Sequence, residues 1–258
     1  MRHLGLWLEL RRWRAAGRRA RLWWRDDDAA GPWPSLDRLL AASTAADVPL
    51  TLAVVPSGDM RALAVRLTRA PLVVAAQHGL DHLNRRKGPE AGEFPHDWTR
   101  PEVIAALRRG WSLMGPLPRT TRVFVPPWND VHPQLPAALG AAGYAAWSAS
   151  GELSELDDNP SGLSRIDVHL DLLRWRGGAR FRGEGRFLRA LANELRRRRL
   201  AGRWSAPIGL LTHHLDHDAA AWAFLTRFLA WSAREPALEW TALEDLIGAA
   251  ADRNASAA

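Results

Sequence analysis

The stretch RLWWRDDD, residues 21–28, joins a short apolar run to three consecutive aspartates, Asp26, Asp27 and Asp28. A short, almost continuously apolar run is typical of a strand that is covered on both faces in a parallel sheet. Three adjacent carboxylates repel one another, so we expect a cation or a neighbouring guanidinium, such as that of Arg25, to stabilise them. The stretch therefore predicts a buried strand that ends at a polar site.

Six further apolar runs follow, and most of them precede a segment with helical periodicity. The runs lie at residues 49–56, 71–77, 121–127, 143–149, 166–173 and 207–214. The clearest helical patterns lie at residues 34–47, 100–115 and 220–234. Repeated strand–helix units predict an α/β fold with a parallel sheet, either open or closed into a barrel. Residues 79–98, rich in Gly, Pro and charge, predict a long loop of the kind that usually carries function.

Polar side chains collect where the apolar runs end. They are Asp26, Asp27, Asp28, Gln77, His78, Trp128, Asn129, Asp171, His213 and His214. The carboxyl ends of parallel strands meet at one edge of a sheet, and α/β folds build their sites at that edge. The pattern predicts one site assembled from several strand ends.

The composition of the 258-residue chain limits the chemistry that this site can use. The hydrophobic content of 47% is enough to build a buried core, so a globular protein is predicted. The sequence has no cysteine, which excludes disulfides and thiolate metal sites. Any metal must therefore be bound by His, Asp or Glu.

The net charge of +7 comes almost entirely from arginine, since Lys87 is the only lysine. Arginine runs lie at residues 11–21 and 196–199, far apart in the chain and with few aromatic residues between the charges. They are typical of solvated helix faces, so nucleic acid is not an expected partner.

We find no apolar stretch of about 18 residues and no secretory signal pattern, and we expect no membrane span and a cytoplasmic location. Nothing in the sequence predicts an oligomeric state.

Two histidines in the sequence HGLDH, His78 and His82, are the first candidate metal ligands. Their i, i+4 spacing lets both rings face one ion on a single turn. The pattern differs from the metalloprotease motif H-E-x-x-H, because Gly79 stands where the glutamate would be. Two histidines and one carboxylate would leave coordination positions open for water and substrate, as in catalytic sites.

A second group of histidines lies in LLTHHLDHD, at His213, His214 and His217. A histidine at a strand end that is oriented by a carboxylate can act as a general acid. Asp171, on the preceding apolar run, is the candidate carboxylate. A second metal site in this group is a weaker alternative.

Taken in order, these motifs resemble the polysaccharide deacetylase family, also called the NodB-homology family of carbohydrate esterases (family 4). That family has an Asp-Asp pair, H-x-x-x-H, R-P-P-aromatic, D-x-x-D-W and L-x-H. The corresponding stretches here are DDD at 26–28, HGLDH at 78–82, VPPWN at 125–129, DLLRW at 171–175 and LTH at 211–213. The resemblance covers roughly residues 20–215 and implies a distorted, seven-stranded (β/α) barrel.

The resemblance implies a role for each matching residue. His78, His82 and one aspartate would hold a divalent metal, most simply zinc, with cobalt or another ion as alternatives. A neighbouring aspartate would be the general base, and His213, held by Asp171, would be the general acid. The substrate pocket would be lined by Pro127, Trp128, Asn129, Trp175 and Leu211.

The sequence departs from the family pattern at two places. The third aspartate leaves two registers open, with base and metal ligand at Asp26 and Asp27 or at Asp27 and Asp28. We favour the second register, because Ala29 then matches the small residue that follows the family's pair. The family's motif arginine is replaced by Val125, and either Arg25 or Arg174 would have to hold the base.

We therefore predict a single catalytic domain over residues 1–258, with its core at about 20–235 and with 1–19 and 252–258 peripheral. Its predicted activity is metal-dependent removal of an acetyl group from an N- or O-acetylated carbohydrate. One alternative is hydrolysis of another non-peptide C–N bond or ester on the same scaffold. The other is a catalytically silent module that binds an anionic ligand with its arginine-rich face. In the predicted active site, Asp26 and His214, like Arg25 and Arg174, are supporting residues or belong to the alternative register.

Overall fold

The structure, a computed structural model, describes residues 3–87, 89–151, 153 and 163–248. Its helices are α1 (Leu4–Ala15), α2 (Pro34–Ala46), α3 (Met60–Leu67), α4 (Arg100–Leu113), α5 (Leu135–Ala141), α6 (Glu184–Leu200) and α7 (Ala219–Ser232). Its longer strands are β1 (Ala20–Ala29), β2 (Leu50–Val54), β3 (Val73–His78), β4 (Thr120–Val125) and β10 (Ile208–Thr212). Its short strands are β5 (Ala146–Trp147), β6 (Ser164–Arg165), β7 (Leu170–Asp171), β8 (Leu173–Arg174), β9 (Arg180–Phe181) and β11 (Leu238–Trp240).

The main sheet is parallel and has the strand order β6-β5-β4-β3-β2-β1-β10-β7, with β11 added beside the start of β1. Each of the seven apolar runs contributes a strand or part of one. The run at 166–173 is interrupted, because residues 166–169 connect β6 to β7 across a change of partner. The sheet consequently has nine strands, and two of them, β6 and β11, lie outside the seven apolar runs.

The sheet curls into a distorted barrel because one extended segment bonds to strands at both of its ends. The Ile166 N–H donates to the carbonyl of Trp147 on β5 at 3.0 Å. Six residues later, the Leu172 N–H donates to the carbonyl of Leu211 on β10 at 2.9 Å. The predicted fold class, a distorted α/β barrel, is confirmed, but its sheet has nine strands where seven were predicted.

Alternate residues of each strand pack on opposite sides of the sheet, as the two-residue period of a strand requires. One apolar cluster fills the barrel interior and includes Trp23, Ala53, Val123 and Leu211. Residues next to these in sequence, such as Leu22 and Leu52, belong to the larger cluster under the helices. Both faces of the central strands are covered, which explains their almost continuous apolar character.

The N-terminal helix α1 contributes to the main core, although residues 1–19 were expected to be peripheral. Leu6, Leu10 and Trp13 on one face of α1 are buried. The indole N–H of Trp13 donates to the carbonyl of Leu195 on α6 at 3.2 Å. The spacing i, i+4, i+7 of the three residues is that of an amphipathic helix, and it anchors α1 on the domain. The other predicted periphery, residues 252–258, lies outside the described residues.

The arginine run at 196–199 lies on α6 and is partly structural. Arg198 is fully buried and donates to the carboxylate of Glu194 and to the carbonyl of Ala206. Arg199 donates to Glu9 on α1, with Nε 2.9 Å from Oε2. Arg197 also pairs with Glu194 at 3.5 Å, so three of the four guanidinium groups of this run have partners within the fold. Within the described part of the chain, no helix has the length and apolarity that a bilayer crossing requires.

Candidate active site

The three consecutive aspartates at the end of β1 point to three different places. Asp28 has a left-handed backbone with φ of 71°, and the pairing of β1 with β2 shifts register between Asp26 and Ala29. This irregularity breaks the simple alternation of a strand. Each carboxylate therefore has its own environment, which removes most of the repulsion expected from three like charges.

Asp28 faces the two histidines of HGLDH. Its Oδ1 lies 3.1 Å from Nε2 of His78 and 3.1 Å from Nε2 of His82. Burial raises the pKa of Asp28, but the hydrogen bonds to His78 and His82 outweigh that effect and hold the pKa well below its usual range. Among the described residues, this is the only group of three or more His, Cys, Asp or Glu side chains arranged to hold a metal ion.

The donor atoms of this group fit a small divalent cation. Nδ1 of His78 lies 3.0 Å from the carbonyl of Val125, which fixes the ring so that Nε2 faces Asp28. Ligands at 2.0–2.1 Å in a tetrahedral zinc site are separated by about 3.3 Å. The separations of 3.1 Å from Asp28 to both ring nitrogens agree with that geometry. Val125, at the position of the family's motif arginine, thus supplies a carbonyl that orients a candidate ligand.

A buried glutamate organises the turn that carries His82. Gly79 and His82 both have left-handed backbones, with φ of 63° and 55°. The carboxylate of Glu93 accepts hydrogen bonds from the N–H groups of Leu80, Asp81 and His82 at 2.7–3.0 Å. A Cβ at residue 79 would overlap that carboxylate, so glycine is required there for a spatial reason as well. Sequence reasoning missed Glu93, and the length of its loop was the only signal that pointed to it.

Asp27 is held by Arg25. The two residues lie on the same side of β1, and the guanidinium contacts both carboxylate oxygens, at 2.8 and 2.9 Å. Arg25 is fully buried and also donates to Oγ of Ser148 at 2.8 Å and to Oδ1 of Asn129 at 2.9 Å. Arg25 thus fills the role for which the sequence left two candidates. The other candidate, Arg174, is exposed, and it has no ion pair with any residue that the structure describes.

Asp26 turns away from the cavity and ties β1 to β10. Its carboxylate accepts from the hydroxyl of Thr212 and from the backbone N–H of His214, at 2.5 and 3.1 Å. Nδ1 of His214 lies 2.5 Å from the second oxygen. Asp26 is fully buried in these contacts. The geometry therefore favours the register with Asp27 and Asp28 facing the cavity.

His213 lies across the cavity from Asp27, with 4.0 Å between Nε2 and Oδ2. His213 was expected to be oriented by Asp171, but its Nδ1 has no hydrogen-bond partner among the described residues. The two oxygens of Asp171 accept from other groups. Oδ1 accepts from the Leu173 N–H and Oδ2 from the indole N–H of Trp175, both at 2.8 Å. The Trp175 ring in turn packs edge-on against His213, with 4.6 Å between centroids. Asp171 thus influences the position of His213 only indirectly, by holding the indole ring that packs against it.

A cavity of about 320 Å³ opens between these groups. It is lined by Asp27, Asp28, His78, His82, Trp128, Asn129, Ser150, Asp171, Trp175, Leu211 and His213. Trp128, which has a left-handed backbone, packs against His82 and leaves two fifths of its surface exposed. Of the residues predicted to line the pocket, only Pro127 does not, because it is buried behind the turn beside Gly79. The structure therefore brings together most of the site residues that the sequence predicts.

His217, the third histidine of its group, lies outside this cavity. Its ring packs edge-on against Trp222 with 4.6 Å between centroids. Burial lowers the pKa of His217 from 6.5 to about 4. His213, His214 and His217 do not form a second group with metal-ligand spacing among the described residues, so the alternative second metal site is wrong.

No family model and no curated protein matches this sequence, and the similarity to known proteins comes from structure. A protein from Mycobacterium smegmatis assigned to the polysaccharide deacetylases superimposes with a TM-score of 0.65 at 18% identity, over 92% of both chains. A family 4 carbohydrate esterase from Streptomyces lividans, in complex with acetate, gives 0.52 at 14% identity, covering 86% of this chain and 90% of its own. A family 4 acetyl xylan esterase from Clostridium thermocellum, in complex with cobalt, gives 0.52 at 14%, covering 89% and 91%. The chain has the fold of the polysaccharide deacetylases and family 4 carbohydrate esterases.

Proposed function

We propose that this protein is a metal-dependent deacetylase that hydrolyses an acetyl group on an N- or O-acetylated carbohydrate. The observation that carries the proposal is the joint placement of a three-ligand group and two proton-transfer groups around one cavity. Asp28, His78 and His82 would hold the metal, while Asp27 and His213 stand 4.0 Å apart beside it. Deacetylases and acetyl esterases among the structures with this fold support the choice of an acetyl group.

A bound divalent cation supplies Lewis-acid polarisation of the acetyl carbonyl and lowers the pKa of water. Asp27 is placed to accept a proton from the attacking water, and its two contacts with Arg25 orient the carboxylate. His213 is placed to donate a proton to the departing nitrogen or oxygen of the sugar. Asp171 is a positioning residue in this scheme, since it fixes Trp175 against the His213 ring.

The shape of the cavity fits an acetylated sugar. Leu211 supplies an apolar wall next to His213, where an acetyl methyl group can be buried. Trp128 and Trp175 stand at the rim with 41% and 46% of their surfaces exposed. Exposed indole faces are common platforms for the apolar faces of sugar rings, and the remaining polar groups can fix the hydroxyls.

Metal analysis with an acetate-release assay tests the proposal. We expect about one divalent ion per chain in the wild type after loading with zinc, and acetate release from N-acetylglucosamine oligomers or acetylated xylan. The variant His78→Ala/His82→Ala should lose both, because two of the three ligands are removed. The matched control His3→Ala/His96→Ala removes two histidines outside the cavity and should keep both. Zinc retained by the first variant would refute the metal site, and a zinc-loaded wild type that releases no acetate from any substrate would refute the activity.

A further inference from the structure

A hairpin at the rim of the cavity concentrates arginines that form no ion pair with any residue the structure describes, although the charge of Arg182 acts on Asp171. Strands β8 and β9 pair antiparallel around the turn at Gly177 and Gly178. The segment 172–183 contains no Asp or Glu. It carries four arginines, at positions 174, 176, 180 and 182.

The hairpin arginines differ from those of the two arginine runs. In the runs, Arg12 and Arg199 pair with Glu9, and Arg14 pairs with Glu235. None of the four hairpin arginines forms an ion pair with any residue that the structure describes. The charge of the runs is thus partly neutralised within the fold, whereas the charge of the hairpin is left for another partner.

Two of the hairpin arginines face each other. Arg174 and Arg180 are directly opposite in the antiparallel register, which places their side chains on one face of the hairpin. Like charges at such a pair are destabilising. An oxyanion between them would remove this repulsion and accept hydrogen bonds from both guanidinium groups.

The hairpin is fixed to the protein and ends at the cavity. Phe181 packs against Phe224 on α7, with 5.1 Å between ring centroids, and its N–H lies 3.3 Å from Oδ2 of Asp218. At the other end of the hairpin, Trp175 lines the cavity and contacts His213. Trp175 is adjacent to Arg174 and Arg176 in the chain, so two arginines of the hairpin are direct neighbours of a side chain that lines the cavity.

We propose that the β8–β9 hairpin is an anion subsite and that the substrate is an acetylated glycan carrying carboxylates. This inference rests on the proposed function. The acetylated sugar occupies the cavity, and Arg174 and Arg180 bind the carboxylate of an adjacent sugar. Guanidinium groups match carboxylates with two parallel hydrogen bonds, which makes them more selective for this group than an exposed lysine would be.

The test compares two probes that differ only in charge. One is a hyaluronan tetrasaccharide, in which N-acetylglucosamine alternates with glucuronate, and the other is the same tetrasaccharide with its glucuronate carboxyl groups converted to methyl esters. Binding to the zinc-loaded protein is followed by tryptophan fluorescence within the first second after mixing, and acetate release is measured later in the same samples. We expect the free acid to bind about tenfold more tightly than the ester at low salt.

Two variants with the same loss of charge test whether the preference for the free acid comes from the hairpin arginines. Arg174→Gln/Arg180→Gln should remove most of the preference for the free acid, while Arg189→Gln/Arg196→Gln, on the exposed face of α6, should leave it unchanged. Equal binding of acid and ester by the wild type would overturn the anion subsite, and so would equal losses in the two variants. The proposed function is judged separately, by acetate release from uncharged acetylated sugars, so that either idea can fail without the other.

Discussion

At the scale of single residues, the three aspartates show how one short stretch can supply three different groups. The carboxylate of Asp26 accepts a hydrogen bond from β10, and that of Asp27 pairs with the guanidinium of Arg25. The carboxylate of Asp28 lies beside the two histidines. A regular strand could not separate them in this way, because alternate residues would share a face. The left-handed backbone of Asp28 makes the separation possible.

Neutralising Asp27 and neutralising Asp28 are expected to have different effects on kcat and on zinc content. Asp27→Asn should lower kcat by about 10²–10⁴, the usual contribution of a general base, and should keep the bound zinc. Asp28→Asn should lose zinc and activity together, because a metal ligand is replaced by a weaker neutral one. Zinc content by elemental analysis and acetate release measure the two effects side by side.

The reverse pattern would contradict this assignment. Zinc lost from Asp27→Asn and retained by Asp28→Asn would exchange the two roles. Asp26→Asn serves as the neighbouring control, and its effect should appear in thermal stability, since Asp26 is fully buried among β10 contacts. A large fall in kcat in a stable, zinc-loaded Asp26→Asn protein would favour the other register.

At the scale of elements, the long loop between β3 and α4 supports the turn that carries His82, a candidate metal ligand. Glu93 binds three consecutive N–H groups of the HGLDH turn, and Arg86 extends from the same loop to the carboxylate of Asp130 at 2.7 Å. Asp130 follows the Trp128–Asn129 turn at the opposite wall of the cavity. The loop therefore connects the metal-ligand turn with a wall of the substrate cavity.

We predict that Glu93→Gln weakens zinc binding by about 10- to 100-fold, as is usual when an outer-shell partner of a ligand is lost. Oε1 of Glu93 accepts from all three N–H groups, and Oε2 accepts a second time from the Leu80 N–H. In the glutamine variant an uncharged, weaker acceptor replaces Oε1 and an NH2 group replaces Oε2, so the turn holds His82 less firmly. The dissociation constant for zinc, measured by competition with a chelator, is the readout. Glu90→Gln is the control in the same loop, because the Glu90 side chain is 85% exposed. Indistinguishable zinc affinities for both variants and the wild type would show that the turn holds its shape without Glu93.

At the scale of the whole molecule, buried histidines link the stability of the fold to pH. His217 has a folded-state pKa of about 4 because burial disfavours its charged form. Between pH 6.5 and 4 the unfolded chain binds a proton that the folded chain does not. The stability contributed by neutral His217 is therefore present above pH 6.5 and is lost as the pH falls toward 4.

We expect the loss of stability between pH 7 and pH 5 to be smaller in His217→Phe than in the wild type, by about 1–2 kcal/mol. Urea unfolding at the two pH values gives this quantity as a difference within each protein, which cancels any change in packing against Trp222. The pKa of His214 is raised instead: burial lowers it, but the attraction of Asp26 outweighs burial. His214 therefore opposes the trend in both proteins equally. Equal pH dependence of the two proteins would show that His217 does not titrate in this way.

The sequence by itself determined an α/β fold with a parallel sheet and the positions of the site residues along the chain, and the resemblance of its motifs implied that the sheet closes into a barrel. Covered parallel strands must be apolar on both faces, so the seven runs are visible without the structure, and polar residues at their ends mark the sheet edge. The i, i+4 spacing of His78 and His82 likewise fixes a local geometry that needs no tertiary information.

Only the tertiary structure decided which partner each of these residues has. Arg25 and Arg174 are equal candidates in the sequence, but only Arg25 lies beside Asp27 on β1. Asp171 was expected to bond to His213 and instead bonds to Trp175, since the β8–β9 hairpin folds back over the cavity. Glu93 and the facing pair Arg174 and Arg180 carry no sequence motif. Their roles depend on distances between chain segments, which periodicity and spacing along one chain do not encode.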